Sequence, residues 1–258
     1  GVFSAFLTPF KKGRGGLEEL DRQAIVRQIG YLIEESRVNG IVVAGARIQE
    51  FDKMTLVEIR RAIDVAVDTV NGRIPVVAGV SQPSTSAAIG LAKYAKNAGV
   101  DAVLSIPPSS PGTSMSEVVD HFKRLSEAID MPLVIFNNPD YGVDMPIKLL
   151  NQLADLNQVA CIKESSRHLL KVARESMFLS QKVAFMTVHH AFLHALSFGA
   201  HGAMMPIVVS KLGVALYNAY KRGDFKAAVG LQRLIYLFPP EGISKSDVAV
   251  AKAALMLM

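Results

Sequence analysis

Eight times along this chain a strand-length apolar run gives way to a longer stretch of helical period, and few folds accept that alternation. The runs are Val2–Leu7, Ile41–Ala44, Ile74–Val80, Asp101–Ile106, Pro132–Asn137, Val159–Lys163, Val183–Val188 and Gly202–Met205. Helical stretches follow at about 17–35, 55–70, 85–99, 116–129, 146–156, 168–177, 191–198 and 208–221. In the first of them Leu20, Ala24, Ile25, Ile29, Leu32 and Ile33 share a face. Ser84 or Thr85 can cap the third, Gly99 ends it, and Pro146 can open the fifth. Two further helices are expected at about 225–237 and 246–258.

Strands alternating with helices imply a parallel sheet, and eight such units predict a closed (β/α)8 TIM barrel of the α/β class with additional C-terminal helices. An open doubly wound sheet is the rival, but no G-x-G-x-x-G or P-loop follows any of the strands. Residues 1–207 are expected to form the barrel, and 208–258 the eighth helix and a C-terminal helical extension of a kind often used for oligomer contacts. The length of 258 residues suits one such barrel, and a chain that is 50% hydrophobic can fill its core.

Composition narrows the chemistry. The one cysteine, Cys161, cannot form an intrachain disulfide or a cysteine-based zinc site, and it fits a reducing, cytoplasmic setting. The apolar stretches are too short or too interrupted to span a bilayer, and no secretory signal is evident, so no membrane partner is expected. A net charge of +5 leaves room for acidic partners, but the basic residues come in scattered pairs such as Lys11-Lys12 and Arg60-Arg61. Nucleic acid is therefore not an expected partner, whereas small anionic substrates are. No cofactor is expected.

In a barrel, catalysis sits where strands end and the following loops begin. Those positions here are Gly45-Ala46-Arg47, Gly79-Val80-Ser81, Pro107-Pro108-Ser109, Asn137-Asn138, Lys163-Glu164-Ser165, Thr187-Val188-His189 and Met205-Pro206. Lys163 stands out because burying an ammonium group disfavours its charge, and a neutral lysine amine can attack a ketone to form a Schiff base. The plainer alternative is a strand-end lysine that reaches water. Arg47 could bind a carboxylate bidentately or point to solvent or another subunit. Tyr141 could supply a phenol for proton transfer, and His189 a general acid or base, or each could have a surface or capping role. His190 and His194 have the spacing of a two-histidine metal face, but no third ligand is evident and no metal is expected. Glu164 should point out of the barrel, since neighbouring strand residues alternate sides, and make a structural pair. Met204 and Met205 are expected in the core or lining the pocket.

The order of these pieces resembles the dihydrodipicolinate synthase / N-acetylneuraminate lyase superfamily of class I pyruvate aldolases, over nearly the whole chain. The resemblance is carried by Phe6-Leu7-Thr8-Pro9-Phe10, Gly40 to Gly45, Ile74 to Val80 with Ser84-Thr85, and Ala98 to Ala102. It continues through His121-Phe122, Pro132 to Pro139, Ile162-Lys163-Glu164-Ser165, Gly199 to Gly202 and Ala251 to Leu255. It implies that Lys163 is the Schiff-base lysine, that pyruvate or another 2-oxo acid is the substrate, and that the chain is a homo-oligomer, a tetramer or a dimer. The remaining site pattern departs from the family. Gly45-Ala46-Arg47-Ile48-Gln49-Glu50 stands where the family has Gly-Thr-Thr-Gly-Glu, and Phe136 where it has its catalytic tyrosine. Pro107-Pro108-Ser109 replaces Pro-Tyr-Tyr, Asp140-Tyr141-Gly142 follows Asn137-Asn138-Pro139, and the chain stops soon after Ala254, which implies a truncated extension.

The expectation is a Schiff-base lyase or aldolase acting through Lys163, with Gly45, Ala46, Arg47, Phe136 and Met204 around the substrate and Tyr141 or His189 as acid/base. Ala46, Phe136 and Pro108 suggest a larger or more apolar substrate and argue against dihydrodipicolinate synthesis. The alternative is an impaired or non-catalytic relative, or a sequence altered at its site, that keeps the barrel for ligand binding or assembly.

Overall fold

Runs such as Gly40–Val43 and Val76–Gly79 are buried at every position, so both faces of the sheet they form must be covered. The computed structural model describes residues 1–13, 18–45, 47–109, 112–141, 143–238 and 247–258. Its elements, in order, are β1 (Val2–Ala5), β2 (Phe10–Lys12), β3 (Glu18–Leu20), α1 (Arg22–Glu34), β4 (Gly40–Val43), α2 (Leu56–Val70), β5 (Val76–Gly79), α3 (Thr85–Ala98), β6 (Ala102–Ser105), α4 (Met115–Ala128) and β7 (Leu133–Asn137). There follow α5 (Ile147–Leu153), β8 (Val159–Glu164), α6 (Leu169–Leu179), β9 (Ala184–Thr187), α7 (Phe192–Ser197), β10 (Gly202–Pro206), α8 (Ile207–Lys221), α9 (Phe225–Ile235) and α10 (Asp247–Leu255).

Strand β1 pairs in parallel with both β4 and β10, which closes the ring β1-β10-β9-β8-β7-β6-β5-β4. This is the expected (β/α)8 barrel with helices beyond the eighth unit. Two apolar layers follow from the alternation along each strand. Outward residues such as Ile41, Val43, Val103 and Ile162 join the helices in one core. Inward residues, among them Val42, Leu104, Phe136, Met186 and Met204, fill the barrel.

Local chemistry sets the helix boundaries. Thr55 with Glu58 and Ser114 with Glu117 form capping boxes that start α2 and α4. Ser84 caps α3, and Gly99 ends it in the left-handed region at φ +94°. The expected helix over 17–35 is corrected: Leu17 lies outside the described residues, and Glu18–Leu20 pair with Phe10–Lys12 as a small antiparallel hairpin. The helix starts only after Asp21, whose carboxylate accepts the Ala24 N–H at 3.0 Å. Leu20 has helical spacing to the core face, but it packs there from the hairpin, opposite Phe10. The 191–198 helix is shorter than expected, because His189–Ala191 form a tighter turn before α7. Among the described residues no helix is long and apolar enough to cross a membrane.

Candidate active site

Strand β8 delivers Lys163 to the barrel interior one residue before its C-terminal end. The side chain is 4% exposed, and its Nζ sits 3.6 Å from the centre of the Phe136 ring, the residue beside it on β7. Among the described residues no carboxylate pairs with it. Burial lowers its pKa from 10.5 to about 7, against which the Cys161 thiol two residues earlier acts only weakly. At neutral pH this raises the neutral, nucleophilic fraction of the amine by about a thousandfold. The same burial pushes the Cys161 thiol up to about 12, so that group stays protonated and inert.

Met204 on β10 and Phe136 lie in the same interior cluster as Cys161 and Met186, the residue beside Lys163 on β9. Tyr141 reaches this cluster from the turn after β7, its ring 5.7 Å from that of Phe51. Its hydroxyl is buried, with no hydrogen-bond partner among the described residues. Burial raises the phenol pKa, with Asp52 adding to the effect and Arg47 opposing it, so the group holds its proton. Arg47 itself is exposed in the turn after β4, near enough to Tyr141 for that influence to register. Ser109 donates to the Tyr141 carbonyl at 2.6 Å, tying the β6 and β7 loops together.

Gly45 follows Ala44, which holds φ +52°, and its N–H donates to the Gln49 side-chain oxygen at 2.9 Å. Ala46 lies outside the described residues. Gln49 is fully buried; its amide donates to Val42 O at 2.8 Å, and its carbonyl accepts the Thr8 hydroxyl at 2.6 Å. Sequence reasoning did not single out Thr8 or Gln49, because their roles depend on the first two loops meeting in space.

His189 follows β9, near enough to Lys163 for that charge to act on its ring. Its ring lies 6.2 Å from Phe238 and 5.4 Å from His190, it hydrogen-bonds the Phe238 backbone, and its carbonyl accepts from Gln232 at 3.0 Å. Burial, then the neighbouring His190, lowers its pKa to about 3, so it is neutral at physiological pH. His190 and His194 do not share a regular helix: their Nε2 atoms lie 3.4 Å from Ser166 O and 3.0 Å from Leu169 O. No group of three or more potential metal ligands occurs among the described residues.

Behind the strand, Glu164 points outward and is fully buried, as alternation requires. It accepts hydrogen bonds from Asn137 Nδ2 at 2.7 Å and the Ser166 N–H at 2.5 Å, and lies 3.4 Å from Lys171 Nζ. Asn137 also exchanges two hydrogen bonds with the backbone of Met145. Lys171 further pairs with Asp144 and approaches Glu175, which is 1% exposed. Burial, then the Glu164 charge, pushes the Glu175 carboxyl pKa up and favours its protonated form, in which it can donate to Glu164. This network fixes the backbone on either side of Phe136 and Lys163; of its members, only Glu164 was expected to make a structural pair.

Comparison with known proteins completes the picture. The sequence matches the dihydrodipicolinate synthetase family over residues 1–258. It is 34% identical over 268 aligned residues to a 4-hydroxy-tetrahydrodipicolinate synthase of Methanothermobacter thermautotrophicus, covering all of this chain and 92% of that one. It is 32% identical over 234 residues to the enzyme of the same name from Methanosarcina mazei, covering 88% of this chain and 77% of the relative. The crystal structure of dihydrodipicolinate synthase from Aquifex aeolicus superimposes with a TM-score of 0.90 at 26% identity, over 100% of this chain and 87% of that one.

Proposed function

The chain belongs to the dihydrodipicolinate synthetase family, and from that premise we propose that it is a Schiff-base lyase or aldolase in which Lys163 condenses with pyruvate or another 2-oxo acid. The observation that carries the reading is the buried amine of Lys163, unpaired with any carboxylate among the described residues and with its pKa lowered to about 7. The neutral Nζ attacks the ketone carbon, a proton reaches the oxygen, water leaves, and the imine carbon becomes an electron sink. A proton lost from the adjacent carbon then gives an enamine that forms, or in reverse releases, a C–C bond. Expulsion of a leaving group from the next carbon along, driven by the enamine electrons, is the other outcome such an intermediate allows.

Proton transfer falls to Tyr141 rather than His189. The phenol is buried, has no hydrogen-bond partner among the described residues and packs on the cluster that holds Phe136, while the His189 ring is engaged with Phe238. Gly45 and Arg47 frame the second loop, and the Arg47 guanidinium suits a substrate carboxylate. Phe136 and Met204 make the floor apolar. Phe136 offers no hydroxyl beside the amine, which favours a partner substrate larger or less polar than that of the related synthases. The relatives' names support a second reading, 4-hydroxy-tetrahydrodipicolinate synthesis itself. A barrel that binds ligand without catalysis is the third.

Borohydride reduction in the presence of pyruvate, read by mass spectrometry, is expected to place the adduct on Lys163. No adduct with any of a panel of 2-oxo acids would falsify the imine reading. Tyr141→Phe is expected to retain the trapped adduct while turnover falls about a hundredfold or more. An assay for 4-hydroxy-tetrahydrodipicolinate formation separates the first two readings. Pyruvate binding as tight in Lys163→Ala as in the parent would favour the third. The oligomeric state, a tetramer or dimer in this proposal, is read by ultracentrifugation.

A further inference from the structure

Far from Lys163 in sequence, one ion pair joins the C-terminal helix to the loop that carries Gly45 and Arg47. Helix α10 packs against the Arg47–Gln49 turn and against α8, with Ala251 fully buried. From it Lys252 pairs with Glu50, and its Nζ also stands 5.4 Å from the Phe10 ring on β2. Lys252 therefore touches both the first and the second strand-to-helix connection at the barrel mouth.

Glu50 is an unusual residue to find there. It closes the turn with its N–H on Arg47 O at 2.8 Å and holds φ +55°, a left-handed conformation that disfavours residues other than glycine. Its side chain is 16% exposed, so the carboxylate has given up most of its water. Lys53, another cation on this turn, is 3.8 Å away and mostly exposed. Burial of the carboxylate and the left-handed backbone both oppose this arrangement, and the Lys252 charge offsets them. On the inner side Thr8 and Gln49 brace the same turn.

We propose that Lys252 is a positioning residue. Through Glu50 it clamps the second loop in the conformation that receives the anionic end of the substrate, so that α10 is a working part of the active-site mouth. The substrate part of this proposal rests on the Schiff-base reading, and the clamp itself does not. Lys252→Met keeps the aliphatic stem over Phe10 and removes the charge. In this variant, free of ligand, amide hydrogen exchange over residues 47–53 should quicken about tenfold, with β8 unchanged. The KM for pyruvate should rise about tenfold while kcat changes less than threefold. Glu50→Gln should reproduce both effects, Lys252→Arg should restore parental behaviour, and the exchanged pair Lys252→Glu with Glu50→Lys should restore part of it. Parental exchange over 47–53 in Lys252→Met overturns the clamp, and parental KM with faster exchange overturns its role in substrate binding. If the parent traps no imine yet the variant exchanges faster, the catalytic reading fails and the clamp stands.

Discussion

A lysine amine enclosed by Phe136, Cys161 and Met186 loses hydration that no carboxylate replaces among the described residues, and this penalty is what lowers its pKa. The same penalty weighs on folding. Unfolded, the amine titrates near 10.5; folded, at about 7. Between those values the unfolded chain holds a proton that the folded one does not, so stability from this group rises with pH across that window and is lowest below it. Lys163→Met is therefore expected to be more stable than the parent by as much as about 4 kcal/mol below pH 7, with the advantage shrinking towards pH 10. Urea unfolding at pH 6 and pH 10 measures it, and an advantage that does not change with pH would sink the argument. Lys163 was legible because a lysine ending an apolar run is costly wherever the run is buried. Tyr141 was legible only as an available phenol. Its value depends on Phe51 and the barrel cluster, which lie far from it in sequence or on other strands.

At the scale of elements, β7, β8 and α6 are bound into one unit by Asn137, Glu164, Lys171 and Glu175. Glu175 is buried beside the Glu164 charge, and the Lys171 ammonium that could offset this is shared with Asp144. Glu175 thus keeps its proton well above 4.5, its unfolded value. Its contribution is fully present below pH 4.5 and is lost as pH rises towards the elevated folded pKa, because the unfolded chain releases a proton that the folded one retains. Glu175→Gln supplies a neutral donor at every pH. Its stability relative to the parent should improve steadily from pH 4.5 to pH 8, as thermal unfolding across that range will show; a constant difference would mean that Glu175 is ionised in the folded protein. Strand β8 was readable because it is a continuous apolar run, and the cap at Ser84 because such a cap acts within a turn of itself. The β2–β3 hairpin was not, since Leu20 satisfies a helical pattern equally well and only its pairing with Phe10 decides the matter.

For the molecule as a whole, the mouth of the barrel is set by how closely β4 and β5 converge. A methyl group on Gly79 would come within 2.0 Å of Ala44 O and 2.4 Å of the Gly45 Cα, both backbone atoms that cannot turn aside. Gly79→Ala should cost about 2–3 kcal/mol of unfolding free energy and weaken pyruvate binding with it, since relief requires moving the Gly45 loop. Calorimetry with a binding titration tests both, and an unaffected midpoint would show that the strands can part freely. The sequence by itself determined the barrel and the strand-end place of Lys163, because apolar periodicity is local and repeats eight times. It also located the loops where a site must lie. Only the tertiary structure decided which polar groups meet there: Gln49 with Thr8, Glu175 with Glu164, Tyr141 with the barrel mouth, and Lys252 with Glu50 across 202 residues. Those pairings depend on burial and on distance through space, and no local pattern in the chain encodes either.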